Sequence, residues 1–297
     1  MKTLLTGSSG FLGKYFLVSA LKTGQCSTLG RSSTNDYQCD LTENIPYIKT
    51  RFDQVIHCAG KAHVIPKSRS QTLEFEEVNY KGTKKLLQSL SRFPPKQFIF
   101  ISSVTVYGLD YGNQIDEKYP LDGTTSFALS KIKSEADVLH WGQKYDVNVM
   151  ILRLPLLVGK DPKGNLGKMI AGIQSGKYIS IAKGKAKRSM VLAEDVVDFV
   201  MRNPTAHGIY NLTDGCHPSF REIEKTISIQ LNKKIPWSIS EFWAKVIGYI
   251  GNMIPGSPVN SSMINKFIND LTFDDKSARN DLNWSPRKVI DHFDVRH

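Results

Sequence analysis

Lys2-Thr3-Leu4-Leu5-Thr6, followed at once by Gly7-Ser8-Ser9-Gly10-Phe11-Leu12-Gly13, is the stretch on which the fold turns. Its first five residues are a short apolar run, and a strand covered on both faces shows such a run instead of alternation. From Phe11 to Leu21 apolar residues recur at helical spacing. The order is therefore strand, glycine turn, helix. In that order, backbone N–H groups and a helix N-terminus can cradle a pyrophosphate. Gly7 is placed to make the tight turn, Gly10 to let a phosphate approach the backbone, and Gly13 to let the helix lie close on the strand. The spacing is three and three, whereas the commoner dinucleotide fingerprint is two and three. A plain strand-to-helix turn, with glycines serving only positive φ, is the competing reading.

The pattern continues outward. Ser27 to Arg31 reads as a second strand, and its end bears on cofactor choice. An acid there would hydrogen-bond a ribose 2′-hydroxyl, whereas an Arg accepts a 2′-phosphate. The end holds Gly30, Arg31, Ser32 and Ser33 and no acid, which favours NADP over NAD. Tyr37 to Leu41 reads as a third short strand ending in Asp40, whose carboxylate either accepts from an adenine amino group or caps the following turn. Asp53 to Gly60 is a fourth, closing on Cys58, Ala59 and Gly60, small enough to let a cofactor pass close to the backbone. His57 within it reads as a packed strand histidine. Thr72 to Leu90 reads as one long helix, in which Asn79 and Gly82 are poor helix formers. Gln97 to Gly108 is a fifth, strongly β-forming strand with Ser102 and Ser103 towards its C-terminal end, where ligands bind in open parallel sheets. Phe127 to Tyr145 is a helix, and Val147 to Leu154 a sixth strand. This alternation predicts a doubly wound, Rossmann-like parallel α/β sheet over residues 1–157. From Val158 to 297 the alternation lapses, which predicts a smaller, mainly substrate-binding lobe, some of whose segments return to the first domain.

Composition sets bounds. With 40% hydrophobic and 23% charged residues in 297, the chain reads as an ordinary globular protein with room for a full core. No stretch reaches the roughly 18–20 uninterrupted apolar residues of a membrane span. The chain enters a strand directly, without a signal-peptide pattern, so the cytoplasm is the expected compartment. Cys26, Cys39, Cys58 and Cys216 have no metal-ligand spacing and read as small buried thiols; no metal is expected. The net charge of +11 is dispersed, apart from Lys183, Lys185, Lys187 and Arg188, which suits a phosphate-bearing small substrate better than nucleic acid. Ile235 to Pro255 is apolar and aromatic but too broken to span a bilayer. It reads as a helix covering the substrate lobe, with a membrane-surface helix or a dimer face as the lesser readings.

Taken together, the chain resembles the extended short-chain dehydrogenase/reductase family of the NAD-dependent epimerase/dehydratase type, whose members act largely on nucleotide sugars. The anchors run along nearly the whole chain: Thr6 to Gly13, Asp40-Leu41, His57 to Gly60, Val78 to Thr83, Ile101 to Gly108, Lys131, Leu152 to Pro155, Arg188 and Leu282 to Pro286. The resemblance implies a cofactor site of Gly7, Ser9, Gly10, Phe11, Leu12, Gly13, Arg31, Asp40, Leu41, Cys58, Ala59, Gly60 and Lys131. It implies a substrate site of Ser103, Thr105, Asn165, Leu166 and Arg188. Ser103 matches the residue that hydrogen-bonds the reacting sugar oxygen, and Asn79 a structural and relay asparagine. Lys131 matches the lysine that holds the nicotinamide ribose and lowers a neighbouring tyrosine's pKa. Arg188 matches an arginine that grips the diphosphate. A homodimer through the helices at 72–90 and 127–145 is implied in the same way.

One position departs from that pattern. The family's acid–base tyrosine precedes the lysine by four residues, and here that place is Phe127. Phe127 therefore stands in the catalytic set with Ser103, Lys131 and Asn79, but without a hydroxyl. Three readings are open: an engineered change, a natural pseudoenzyme, or proton transfer by another group such as Ser103 with water. The otherwise intact surroundings favour an inactivated variant of an active enzyme. Family dehydratases carry an Asp-Glu pair after the active-site Ser/Thr. Here the stretch is Val104-Thr105-Val106, so dehydration is disfavoured. The segment from Arg188 to Phe199 also resembles bacterial reductases of 4-keto-6-deoxy-N-acetylhexosamine nucleotides. The expectation is an NADP-dependent reductase of a UDP-4-keto-6-deoxy-N-acetylhexosamine in surface polysaccharide synthesis. The alternatives are a UDP-sugar 4-epimerase with tightly held NAD and a non-catalytic NADP(H)-binding sensor.

Overall fold

The computed structural model describes residues 1–62, 66–162, 164–254, 257 and 259–295. The apolar run at the start is β1 (Lys2–Thr6), and it lies inside a seven-stranded sheet. β1 pairs in parallel with β2 (Gln25–Gly30) on one side and, across it, with β4 (Gln54–His57) on the other. β2 pairs with the short β3 (Tyr37–Gln38), and β4 with β5 (Gln97–Ser103). Beyond β5 come Asn148–Leu154 and then Gly208–Asn211, again parallel. Strand order thus reverses between β1 and β4. That topological switch point is where an open parallel sheet opens a crevice at its C-terminal edge. This is the doubly wound, Rossmann-like arrangement that the alternation predicts.

Successive side chains on a strand face opposite ways, so both faces of this sheet need cover. Leu5, Ile56 and Ile99 face α1 (Phe11–Thr23), packing with Leu12 and Phe16. Leu4, Val55 and Phe98 face the other layer, where α3 (Gly82–Leu90) supplies Leu86 and Leu90, and α4 (Ser126–Tyr145) supplies Val138 and Trp141. The seventh strand, with Trp284 and α6 (Ala193–Arg202), comes from beyond residue 157 and joins the first of these cores.

Three details differ from the sequence reading, each for a local reason. The β-forming run from Gln97 leaves the strand at Ser103, because the Ser103 hydroxyl accepts from the Thr105 N–H and turns Val104–Tyr107 into a 3₁₀ turn. The long helix at 72–90 is α2 (Arg69–Phe75), then a π-helical stretch over Glu76–Lys81, then α3. The wider π turn accommodates Asn79, a poor α-helix former whose side chain is engaged elsewhere. Cys216 is exposed, and the other three cysteines are half-buried.

The lobe is built from α5 (Gly164–Gln174), α7 (Phe220–Gln230), α8 (Glu241–Asn252) and α9 (Ser261–Ile268), with short parallel strand pairs. Gly112–Ile115, from the first half of the chain, pairs with Leu271–Phe273 and ties lobe to sheet. The expected covering helix at 235–255 is α8, and Pro255 lies outside the described residues. Its small residues pack inward and its large ones face out. Among the described residues no helix is long and apolar enough to cross a membrane.

Candidate functional site

The glycine turn is tight and closely packed on the neighbouring strand. Gly7 sits at φ +72°, and the Gly10 N–H donates to its carbonyl at 2.9 Å. A Cβ on Gly7 would lie 2.6 Å from the Ala59 nitrogen, and one on Gly13 would collide with the Gly7 carbonyl oxygen. No side chain caps the start of α1, so its first N–H groups are directed at whatever lies above the turn. Ser9 and Gly10 are exposed there. Phe11 is half-buried, edge-on to Tyr15 at 5.7 Å, whereas the Leu12 side chain belongs to the core.

β1 and β4 are locked together at this edge. The Thr6 hydroxyl accepts from the Ala59 N–H at 3.2 Å and meets His57 Nδ1 at 2.6 Å; His57 Nε2 meets the Thr83 hydroxyl at 2.9 Å. Complete burial pulls the His57 pKa down to about 3, so it is a neutral packing residue. Burial pushes the Cys58 thiol up to about 12, which keeps it protonated.

Gly60, Asn79 and Lys131 converge beyond β4. A Cβ on Gly60 would lie 3.2 Å from Asn79 Oδ1 and 3.7 Å from Lys131 Nζ. Asn79 is buried in the π turn. Its Oδ1 accepts from the Lys61 N–H at 2.6 Å, and its Nδ2 donates to the Lys61 carbonyl and the Ser130 hydroxyl, each at 3.1 Å. Lys131 donates to the Ile101 carbonyl at 2.7 Å and lies over the Phe100 ring at 4.6 Å. Burial pulls its pKa down to about 8, with Cys58 and Glu135 opposing the shift. Phe127 is one turn earlier on α4, half-buried, with its ring edge-on to Phe75 at 6.2 Å. Ser103 and Thr105 stand at the end of β5, with the Thr105 hydroxyl donating to Ser103 Oγ at 3.1 Å.

A cleft of about 540 Å³ at the far end of β2 and β3 is lined by Arg31, Gln38, Asp40 and Tyr47, among others. Of the two roles open to Asp40, its carboxylate performs the capping one. It accepts from the Thr42 N–H at 2.9 Å and the Thr42 hydroxyl at 2.7 Å, bonds that hold it below the usual carboxylate range. Leu41 is half-buried against the core beneath. Asp36 is bound to the Thr28 N–H at 2.7 Å, and Arg31 stands exposed at the rim.

On the lobe, Arg188 donates to the carbonyls of Lys187 and Asn269, each at 2.7 Å, and stacks on Phe220 at 5.1 Å. Burial pulls its pKa down to about 10, so it stays cationic at neutral pH. Asn165 is exposed on the first turn of α5, while Leu166, 2% exposed, packs into the lobe core.

A polar network behind Ser103 is absent from the sequence reading. Arg153 and Glu135 form a buried ion pair at 2.8 Å. The Ser102 hydroxyl also donates to Glu135. Arg153 reaches the Tyr107 hydroxyl at 3.2 Å, and that hydroxyl donates to Asn211 at 2.8 Å. The available signals were a charged residue inside an apolar strand (Arg153) and a carboxylate one turn after Lys131 on the buried face of α4 (Glu135).

A family model described as the NAD-dependent epimerase/dehydratase family matches residues 3–212. An N-acetyl-α-D-glucosaminyl-diphospho-ditrans,octacis-undecaprenol 4-epimerase of Escherichia coli O157:H7 is 27% identical over 78% of this chain and 73% of its own length. A UDP-glucose 4-epimerase of Vibrio cholerae is 24% identical over 97% of this chain and 91% of its own. The structure of a Thermus thermophilus UDP-glucose 4-epimerase with NAD superposes with a TM-score of 0.72 at 20% identity, covering 99% of both chains.

Proposed function

From the premise that this chain belongs to the NAD-dependent epimerase/dehydratase family, we propose that it is a nucleotide-sugar oxidoreductase built to reduce a UDP-4-keto-6-deoxy-N-acetylhexosamine in surface polysaccharide synthesis, and impaired in this chain because Phe127 has no hydroxyl. The observation that carries this reading is the meeting of Gly60, Asn79 and the buried Lys131 beside the side-chain-free cradle of Gly7 and Gly13. The cradle suits a dinucleotide pyrophosphate, because a Cβ at Gly7 or Gly13 would collide with the backbone of Ala59 or Gly7 and force the tight turn open.

A nicotinamide dinucleotide supplies the hydride when it is bound. The chain's own residues bind and orient, and with no hydroxyl at Phe127 the proton that the C4 oxygen gains is left to Lys131 beside it. The Gly7–Gly13 turn and the start of α1 hold the pyrophosphate, and Lys131 holds the nicotinamide ribose. Ser103 hydrogen-bonds the sugar C4 oxygen. Arg188 grips the diphosphate; its Nη1 is spent on two carbonyls, which fixes the orientation of the planar guanidinium. The Val104-Thr105-Val106 turn offers no carboxylate for elimination of water. Arg31, exposed at the cleft rim while Asp36 is held by Thr28, favours NADP(H).

A second reading, 4-epimerisation with tightly held NAD, is supported by the relatives described above, both named as 4-epimerases. Calorimetric titration with NADP(H), NAD(H) and a panel of UDP- and dTDP-sugars separates these readings. We expect NADP(H) to bind more tightly than NAD(H), with one UDP-sugar taken up selectively. NAD co-purifying with the chain would move the assignment to the epimerase. A cofactor bound with no sugar nucleotide taken up would leave a sensor.

Gly13→Ala tests the cradle. Its methyl has no space beneath the Gly7 carbonyl, so the turn must open and carry its N–H groups off the phosphate. Cofactor affinity should fall by at least roughly tenfold, in keeping with loss of one or more charge-assisted hydrogen bonds. An unchanged dissociation constant would remove the cradle from the argument.

A further inference from the structure

We propose that α8 and the segment leading into it form an in-plane docking element for an anionic lipid bilayer. The inference is independent of the reaction assigned above. α8 is packed inside out. With about 3.6 residues per turn, Ala244, Gly248 and Gly251 share one face, and that face is buried against α9 and the segment before it. A Cβ on Gly248 would already lie 3.0 Å from Ile264, so the small residues are what let the two helices approach. The large side chains point away. Phe242 is 68% exposed and Trp243 60%, and Ile247, Tyr249 and Ile250 are exposed with them. Only Glu241, Lys245 and Asn252 form a polar stripe, and the first two are paired with each other at 2.6 Å.

The patch extends beyond the helix. Trp237, 72% exposed, precedes the strand Ser238–Ile239, which pairs with Ser180–Ile181 and so brings the exposed Ile179 alongside. Met253 and Ile254 continue it at the other end. Large apolar side chains left exposed together on adjoining segments mark an interaction site, since monomers rarely show such a concentration without use.

Charge identifies the occupant. Lys177, Lys183, Lys185, Lys233 and Lys234 are all exposed on the segments that carry or flank the patch. The only carboxylate in 177–188 and 233–254 is Glu241, already neutralised by Lys245. A second copy of this chain would bring two such lysine rims together and be repelled. An anionic headgroup layer attracts each lysine while the acyl boundary takes the aromatic face, and Trp and Tyr favour that depth. Docking in this way holds the cleft of about 500 Å³ beside α8, lined in part by Glu241, Lys245 and Asn269, next to the bilayer surface.

Flotation of the full chain with phosphatidylethanolamine/phosphatidylglycerol vesicles tests this. We expect binding at low salt, at least tenfold weaker partitioning to phosphatidylcholine vesicles, and weakening as salt rises. Phe242→Ser combined with Trp243→Ser should reduce partitioning by at least tenfold, with thermal melting and cofactor affinity unchanged because both side chains are exposed. Brominated acyl chains should quench the tryptophan emission of the unaltered chain, a readout that needs no variant. No flotation with anionic vesicles, flotation indifferent to the double substitution, or absence of quenching would each overturn the proposal. So would self-association abolished by Trp243→Ser in a chain that ignores vesicles.

Discussion

Phe127→Tyr is expected to raise turnover of the correct sugar nucleotide by about 10²–10⁴-fold, the usual contribution of a positioned general acid or base. The substitution adds one oxygen to a ring that is already placed. Phe127 is held on the first turn of α4, with its ring edge against Phe75 and its carbonyl bonded by Ser130, whose hydroxyl is in turn bonded by Asn79. The ring is half-buried, so the new hydroxyl meets solvent or substrate and no large stability loss should accompany it. Lys131, one turn on, would lower the phenol's pKa by proximity of charge. The pH profile carries the diagnosis. In the unaltered chain Lys131 is the titratable donor beside Phe127. Residual ketone reduction should therefore decline as pH rises through about 8, where its ammonium is lost. In Phe127→Tyr the reaction should acquire a second ionisation from the phenol. Single-turnover hydride transfer at several pH values decides it. No rise above the unaltered chain, with a UDP-sugar that binds, would show that the missing hydroxyl is not what limits this site.

Glu135→Leu is expected to destabilise the chain by about 3–5 kcal/mol, because it leaves the Arg153 guanidinium buried without its counter-charge. Each side chain of the pair is only 3% exposed, so water cannot take over the lost bonds. For a chain of this size the melting temperature should fall by on the order of 10 °C. The network spans β5, α4 and the strands Asn148–Leu154 and Gly208–Asn211, so the loss should be felt as global unfolding and not as fraying at one edge. Replacing both partners, Glu135→Leu with Arg153→Met, should recover at least half of the loss, since a buried ion pair contributes little over an apolar pair of similar volume. A melt shifted by less than 2–3 °C in Glu135→Leu would be too small for stranding a buried charge. The network would then not be what ties those elements together.

The two expectations rest on different kinds of information. Phe127 and Lys131 could be set side by side from spacing alone, because four residues on a helix make one turn. Glu135 and Arg153 are 18 residues apart, on a helix and a strand, and only the packing of α4 onto the sheet joins them. The sheet itself was open to sequence reading. Leu4-Leu5, Val55-Ile56 and Phe98 to Ile101 are unbroken apolar runs, as parallel strands buried on both faces require. Their ends were less so. β5 stops at Ser103 because one hydroxyl captures a backbone N–H, a local choice that β-propensity does not register. The π turn at Glu76–Lys81 was visible only as two poor helix formers in a helical run. The reason for it is Asn79's bonds to Lys61 and Ser130, partners on other elements.

The order of strand, glycine turn and helix at 2–23 belongs to the sequence by itself. So does the missing hydroxyl at position 127. Each depends on residues within a few positions of one another, and on whether a Cβ or an oxygen is present. The direction in which α8 faces belongs to the tertiary structure alone. An aromatic helix of that composition would satisfy a buried site equally well. Ala244, Gly248 and Gly251 decide the matter, because only they let α8 lie so close on α9 that its large side chains are left outside.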